Sequence, residues 1–366
     1  MREEDHKFEK KPPLTGIRAV AALMVMLFHF QTFSGEKYTY PVFDSILSNG
    51  NFGVEMFFVL SGFILWHVYH VEFSELSRIS YKNYIIRRLA RIYPVHILTM
   101  ILMLCVYFVA RFQFHYTPQT GHSPYSLASI IASIFLVNEW LNPHDILVKI
   151  YPFTKINSTW GPLGTPNGVA WSISVEFLMY LFFPFIALLF YKLKKSRLFL
   201  VFICLCGLVG FILVPQNIFR ILFLFPLGCF VYSFKEYLPR INIYLLFLAL
   251  FSFISAIEQH DFFYFTACLL CPLLYVQLLT ADNYLSKILS SPLFVYLGEI
   301  SFTLYMVHWP VLSITRNIAR HVPNAQQYTG FGILLTALLS LYISHICYKK
   351  FEKPLAVWMR KEFIEE

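Results

Sequence analysis

The chain has 366 residues, of which 57% are apolar and only 14% charged, with a formal net charge of +8. A soluble domain carries about a quarter charged residues, so this composition excludes an ordinary soluble enzyme and implies a multi-pass membrane protein. The positive balance does not point to nucleic acid, because the basic residues collect beside the ends of apolar runs.

These clusters are Lys7, Lys10 and Lys11; Arg78, Lys82, Arg87, Arg88 and Arg91; Lys192, Lys194, Lys195 and Arg197; Lys235 and Arg240; and Lys349, Lys350 and Lys353. Short loops rich in Lys and Arg stay cytoplasmic. With spans of about 20 residues, that rule predicts an all-α polytopic integral membrane protein with about ten transmembrane helices. They fall near 14–33, 52–70, 92–111, 169–190, 198–214, 217–234, 241–257, 262–279, 293–313 and 329–347. Both termini then face the cytoplasm, with 1–13 and 348–366 as tails, and 1–366 reads as a single transmembrane domain. The opening MREEDHKFEKK is too charged for a signal peptide, so the first helix is expected to remain as an anchor.

The first predicted helix, LTGIRAVAALMVMLFHF, carries Arg18 and His29. Eleven residues is about three turns, which puts both on one face roughly 16 Å apart. Ionisable groups inside a span are costly and usually functional. The alternative, Arg18 snorkelling to headgroups and His29 in an interhelical hydrogen bond, stays open. The second helix, GVEMFFVLSGFIL, has Glu55 at its outer end and Ser61 beside Gly62, where a glycine admits another backbone. Glu55 reads either as a pocket residue or as an acid favoured by the helix N-terminus.

YIIRRLARIYP follows on the cytoplasmic side, with Arg88 and Arg91 one turn apart. They are either plain topology signals or a phosphate site, since guanidinium binds phosphate bidentately. Tyr125–Leu141 is apolar but short and lacks basic flanks. It reads as a re-entrant or interfacial helix within an extracytoplasmic loop over 112–168, where Trp140 and Trp160 are weak candidates for sugar stacking.

In VAWSISVEFLMY, Trp171 precedes Ser172, Glu176 and Tyr180, which share a face at four-residue spacing. Glu176 lies about 9 Å below the helix start, where a carboxylate is either paired or moves protons. The seven cysteines lie in or beside apolar runs, and the Cys268–Cys271 spacing reads as buried thiols, so neither disulfide nor metal site is expected. In LGEISFTLYMVHWPV, the ninth predicted span, Gly298, Ser301, Tyr305 and His308 fall within a stripe of about 80°. The arginines thus map to the cytoplasmic face, whereas His29, Glu55, Glu176 and His308 map to the outer half. An anion-binding mouth inside and an acid/base site outside is the resulting picture.

These segments resemble the acyltransferase-3 family of integral membrane O-acyltransferases. Arg18 and His29 match its R-x10-H first helix, and GVEMFFVLSGF, RRLARIYP, WSISVEF, SFTLYMVHWP and EKP (352–354) match in order. The resemblance implies transfer of an acyl group, often acetyl, from cytoplasmic acyl-CoA to a hydroxyl of an extracytoplasmic or lipid-linked glycan at the cell (inner) membrane. It implies that Arg18, Arg88 and Arg91 hold the donor's phosphates, that His29 is the essential histidine and that Glu176 is its carboxylate partner. Glu55, Ser61, Trp171, Ser172, Tyr180, Ser301, Tyr305 and His308 remain further pocket candidates. Direct transfer and an acyl-histidine route both stay open. Some relatives carry a further extracytoplasmic domain, so a second transfer step is expected to need another protein. The rival reading is a proton-coupled transporter or flippase of an anionic or lipid-linked solute, for which internal symmetry would speak.

Overall fold

The computed structural model describes residues 11–30, 48–114, 123–140, 164–213, 217–238, 242–255, 261–280, 283–319, 321–322 and 329–364. Trp160, Lys7, Lys10, Arg240 and most of the expected outer loop lie outside these residues. Among the described residues every regular element is a helix. They are α1 (Pro12–Phe30), α2 (Phe52–Tyr69), α3 (Arg78–Phe114), α4 (Leu127–Ile134), α5 (Trp171–Lys192), α6 (Arg197–Leu213) and α7 (Asn217–Ser233). There follow α8 (Ile243–Ser255), α9 (Asp261–Thr280), α10 (Tyr284–Leu289), α11 (Pro292–Glu299), α12 (Ser301–Ala319), α13 (Thr329–Cys347) and α14 (Lys353–Phe363).

Six stretches are long and apolar enough to cross a membrane: Pro12–Phe30, Phe52–Tyr69, Arg78–Phe112, Trp171–Lys192, Phe263–Thr280 and Gly330–Phe363. The apolar α6, α7 and α8 are shorter. The chain is a multi-pass, all-helical membrane protein, with six rather than ten helices meeting that length among the described residues.

Two expectations change. The arginine-rich segment and the third expected span lie on one helix, because α3 runs unbroken for 37 residues through Pro94. That is about 55 Å of helix, against roughly 30 Å of hydrocarbon core. The span expected over 293–313 is broken at Ile300 (φ −84°, ψ 0°), where the Ile300 N–H turns back to the Tyr296 and Gly298 carbonyls. Ser301 Oγ donates to the Gly298 carbonyl at 2.8 Å across the break. Gly298 and Ser301 therefore end one helix and start another, and the expected polar stripe is not one face of one helix.

Beyond α13 a π-helical turn, Tyr348–Glu352, leads into α14. Pro354 stands at the start of α14, and a proline there supplies no N–H, which favours a local change of hydrogen-bond register. The expected C-terminal tail is thus helical through Phe363.

The helices form two compact units that interleave along the chain. The first comprises Met1–Leu76, Phe185–Cys204 and Leu224–Leu304. Its α1 is seated by close backbone contact as well as by buried side chains such as Ile17, Val25 and Phe30. A Cβ added to Gly16 would lie 1.9 Å from the Leu289 carbonyl oxygen, and one on Gly298 would lie 1.9 Å from that of Thr15. Without a water-driven hydrophobic effect between helices in lipid, such small-residue seams supply van der Waals contact. The close approach expected at Gly62 is present: a Cβ there would meet the Phe225 carbonyl oxygen at 2.0 Å.

The second unit comprises Ser77–Pro184, Leu205–Phe223 and Tyr305–Glu366. In it the short α4 is held between α3 and α5. His96 Nε2 hydrogen-bonds the Ser133 carbonyl at 2.9 Å, and the Tyr93 hydroxyl donates to the Ile134 carbonyl at 3.1 Å. These satisfy carbonyls at the end of a helix too short to satisfy them itself. On the α5 side, Trp140 Nε1 donates to the Ser174 carbonyl at 2.7 Å and Ser174 Oγ to the Leu136 carbonyl at 2.8 Å. Trp140 also stacks on Phe177, with ring centroids 6.2 Å apart. Its ring is part of the scaffold.

Candidate active site

The candidate residues divide between the units. Arg18, His29, Glu55, Ser61 and Ser301 belong to the first, and Arg88, Arg91, Trp171, Ser172, Glu176, Tyr180, Tyr305 and His308 to the second.

In the first unit His29 is the penultimate residue of α1, half-buried, with its ring edge-on to Phe28 at 5.1 Å. Its ring N–H donates to the Val25 carbonyl one turn back. That bond fixes the tautomer and leaves the other ring nitrogen with the lone pair a proton acceptor needs. Arg18 is half-buried three turns earlier on the same helix. Glu55 occupies the first turn of α2 at 1% exposure, and Ser61 is half-buried further along it.

In the second unit the four-residue spacing of α5 produces a contact: the Tyr180 hydroxyl donates to Glu176 Oε1 at 2.6 Å, a length typical of a hydroxyl on a carboxylate. The Arg88 guanidinium lies over two rings, 5.7 Å from the Tyr84 centroid and 6.0 Å from that of Tyr180. Arg88, Arg91 and Glu176 all act electrostatically on the Tyr180 hydroxyl. Arg88 and Arg91, expected apart from Glu176, therefore share a tyrosine with it. Residues Arg88 and Glu176 address one tyrosine, where α3 meets α5.

One turn above Glu176, Ser172 Oγ and Tyr305 Oη share a hydrogen bond of 2.8 Å, and Tyr305 also donates to the Val169 carbonyl at 2.9 Å. Glu176 and Arg220 both lie within electrostatic reach of Tyr305. The Arg220 guanidinium sits 5.7 Å from the Trp171 ring. The result is an alternating array, Arg88, Tyr180, Glu176, Tyr305, Arg220, drawn from α3, α5, α7 and α12. One carboxylate bonds Tyr180 directly and lies within electrostatic reach of Tyr305, as Arg220 does. His308, one turn beyond Tyr305, is fully buried with its ring 5.9 Å from that of Tyr305.

Sequence reasoning passed over two contributors. Arg220 is a lone cation in the apolar run NIFRILFLFP, and the cost of such a residue inside a span was signal enough. Asn167, 1% exposed, donates through Nδ2 to the Met306 carbonyl at 3.0 Å and so ties the lead-in to α5 onto α12. Its sequence context, PNGVAW, reads only as a turn.

An alternating array of this kind does not move a substrate by itself, but it orients a carboxylate among helices through the Tyr180 hydroxyl. Residues 13–345, which contain the array and His29, match the acyltransferase domain of the acyltransferase-3 family. The chain belongs to that family. It is 25% identical to peptidoglycan O-acetyltransferase OatA of Listeria monocytogenes, in an alignment that covers 94% of this chain and 55% of that protein. It is 29% identical to Acyltransferase MdmB of Streptomyces mycarofaciens over 50% of this chain and 40% of that one. The acyltransferase-3 chain described here thus spans about half the length of these curated relatives. No solved structure matches it.

Proposed function

We propose that the chain is a membrane-embedded O-acyltransferase, moving an acyl group, acetyl in the first instance, from cytoplasmic acyl-CoA to a hydroxyl of an extracytoplasmic or lipid-linked glycan. In this reading it resides in the cell (inner) membrane with both termini cytoplasmic, across about ten spans. The observation that carries the proposal is the array around Glu176, lying within the region that matches the family. The relative named for peptidoglycan O-acetylation favours a polysaccharide of the cell envelope as acceptor.

The chemistry asks for a base, a charge to steady it and a clamp for the donor. His29 takes the acceptor's hydroxyl proton as that oxygen attacks the thioester carbonyl. A C–O bond forms, the C–S bond breaks, and the departing thiolate takes the proton back from the imidazolium. Glu176 stabilises that imidazolium. Arg18 and Arg91 neutralise the donor's phosphates with Arg88, whose position over Tyr180 couples the clamp to the carboxylate. Ser61 and Tyr305 are the polar groups assigned to the oxyanion.

Protein in liposomes supplied with labelled acetyl-CoA and envelope glycan tests this. Turnover should fall by about 10²–10⁴ in His29→Ala, with CoA binding retained. Full activity of His29→Ala on an identified acceptor refutes the catalytic assignment. Solute flux without consumption of acyl-CoA would move the reading to the transporter.

A further inference from the structure

Away from the array, the first unit gathers a second set of cations. Lys195 comes from the turn between α5 and α6, Arg197 from the first position of α6 and Lys235 from just beyond α7. From sequence they read only as topology signals. The structure lays each on aromatic faces. Lys195 Nζ is 5.4 Å from the Tyr191 ring centroid, and Lys235 Nζ is 4.2 Å from that of Tyr232. The Arg197 guanidinium lies 4.3 Å from the Phe234 centroid and 4.9 Å from that of Tyr237.

His70 bridges the lysine-bearing rings, 6.3 Å from Tyr191 and 6.2 Å from Tyr232, within electrostatic reach of both ammonium groups. The Tyr232 hydroxyl is shared by His67 Nδ1 at 2.7 Å and Lys235 Nζ at 2.6 Å. Among the described residues no carboxylate pairs with Lys195, Arg197 or Lys235. Cations on rings are oriented but not neutralised.

The backbone adds an independent observation. Helix α5 closes in a Schellman motif, with the Lys195 N–H on the Phe190 carbonyl at 2.8 Å and the Lys194 N–H on that of Tyr191 at 3.0 Å. The motif's left-handed position ordinarily takes glycine. Here Lys194 has φ 53° and Lys195, next to it, φ 58°. Two lysines held in succession where glycine is easier indicate that side-chain charge is wanted at this turn.

The geometry points to a binding site for a phosphoryl group at this cluster, formed by Lys195, Arg197 and Lys235. Three positive charges with no carboxylate partner among the described residues suit an anion with several oxygens and up to two charges. The guanidinium fork and two point-charge ammoniums match phosphate better than a single carboxylate. A soluble nucleotide and a phospholipid headgroup both offer that group. The site stands whether or not the chain transfers acyl groups, since it shares no residue with the array.

The test uses the full chain in phosphatidylcholine nanodiscs, titrated in one arm with adenosine 3′,5′-bisphosphate and in the other with phosphatidylglycerol followed by native mass spectrometry. At least one probe should bind, more weakly as salt rises. The pair Lys195→Gly and Lys235→Gln should weaken it tenfold or more, while Lys349→Gln with Lys350→Gln, an equal loss of charge elsewhere, should leave it unchanged. Because Lys195→Gly relieves a left-handed backbone, the paired variant is expected to melt no lower than Lys235→Gln alone, which separates lost binding from lost folding. Binding in the first arm alone identifies a soluble ligand, and in the second alone a headgroup. If neither probe binds, or if both paired variants weaken binding equally, the site is refuted.

Discussion

The two units hold cations against tyrosine rings in two different ways. In the second, Arg88 lies over Tyr84 and Tyr180, and Glu176 accepts from the Tyr180 hydroxyl. In the first, Lys195 and Lys235 lie over Tyr191 and Tyr232, and the shared hydroxyl of Tyr232 meets a histidine instead of an acid. The building blocks are nearly the same. The carboxylate decides whether positive charge is balanced inside the protein or offered to something outside it. A balanced cluster stabilises its own geometry; an unbalanced one waits for an anion.

The largest effect should come from removing that balance. Glu176→Gln keeps shape but leaves Arg88 and Arg220 facing tyrosines without the anion between them. Glu176 is half-buried and accepts from the Tyr180 hydroxyl, so loss of its charge should cost up to about 3 kcal/mol, the upper end for a hydrogen bond to a charged group, to be read from denaturant or thermal unfolding in lipid nanodiscs. Lys235→Gln, which breaks no ion pair, should cost less than about 1 kcal/mol by the same assay. Equal losses in the two variants would erase the distinction between the clusters.

A second expectation concerns α1, which presents His29 through a seam of backbone contact and not through charge. In Gly16→Ala the new Cβ meets the Leu289 carbonyl oxygen at 1.9 Å. Backbone on backbone has no rotamer to escape into, so overpacking should cost up to about 3 kcal/mol. Turnover should fall in parallel as the helix shifts. Unchanged melting would show that α1 is looser than these contacts require. Tyr180→Phe follows in size, losing one hydrogen bond to a charged acceptor at about 2 kcal/mol, with no change expected at the lysine cluster.

How much of this was legible in the sequence differs by interaction type. The helices were, because runs such as WSISVEFLMYLFF leave an apolar chain little choice in lipid. The Glu176–Tyr180 contact was too, since it lies within one turn of one helix. The break at Ile300 was not: Gly298 and Ser301 look compatible with a continuous helix, and only the press of Thr15 on Gly298 and the Ser301 bond across the break show its basis. Arg220 joining Trp171 and Tyr305 is likewise a tertiary event between segments remote in sequence. The lysine cluster was hidden for a different reason. A positive-inside signal and a binding site use the same residues, and only packing on rings separates them.

The smallest effect probes that last distinction from the backbone side. Lys194 occupies the left-handed position of the α5 cap at φ 53°, where an L-residue is roughly 1 kcal/mol less favourable than glycine. Lys194→Gly should therefore raise the unfolding free energy by about that amount, a gain rarely available from an exposed charge. Glycine keeps the Schellman bonds, so Lys195 should stay over Tyr191. If the variant is instead destabilised, the Lys194 side chain makes a compensating contact that outweighs the strain. A gain of the expected size would show that this turn holds Lys194 at the expense of stability.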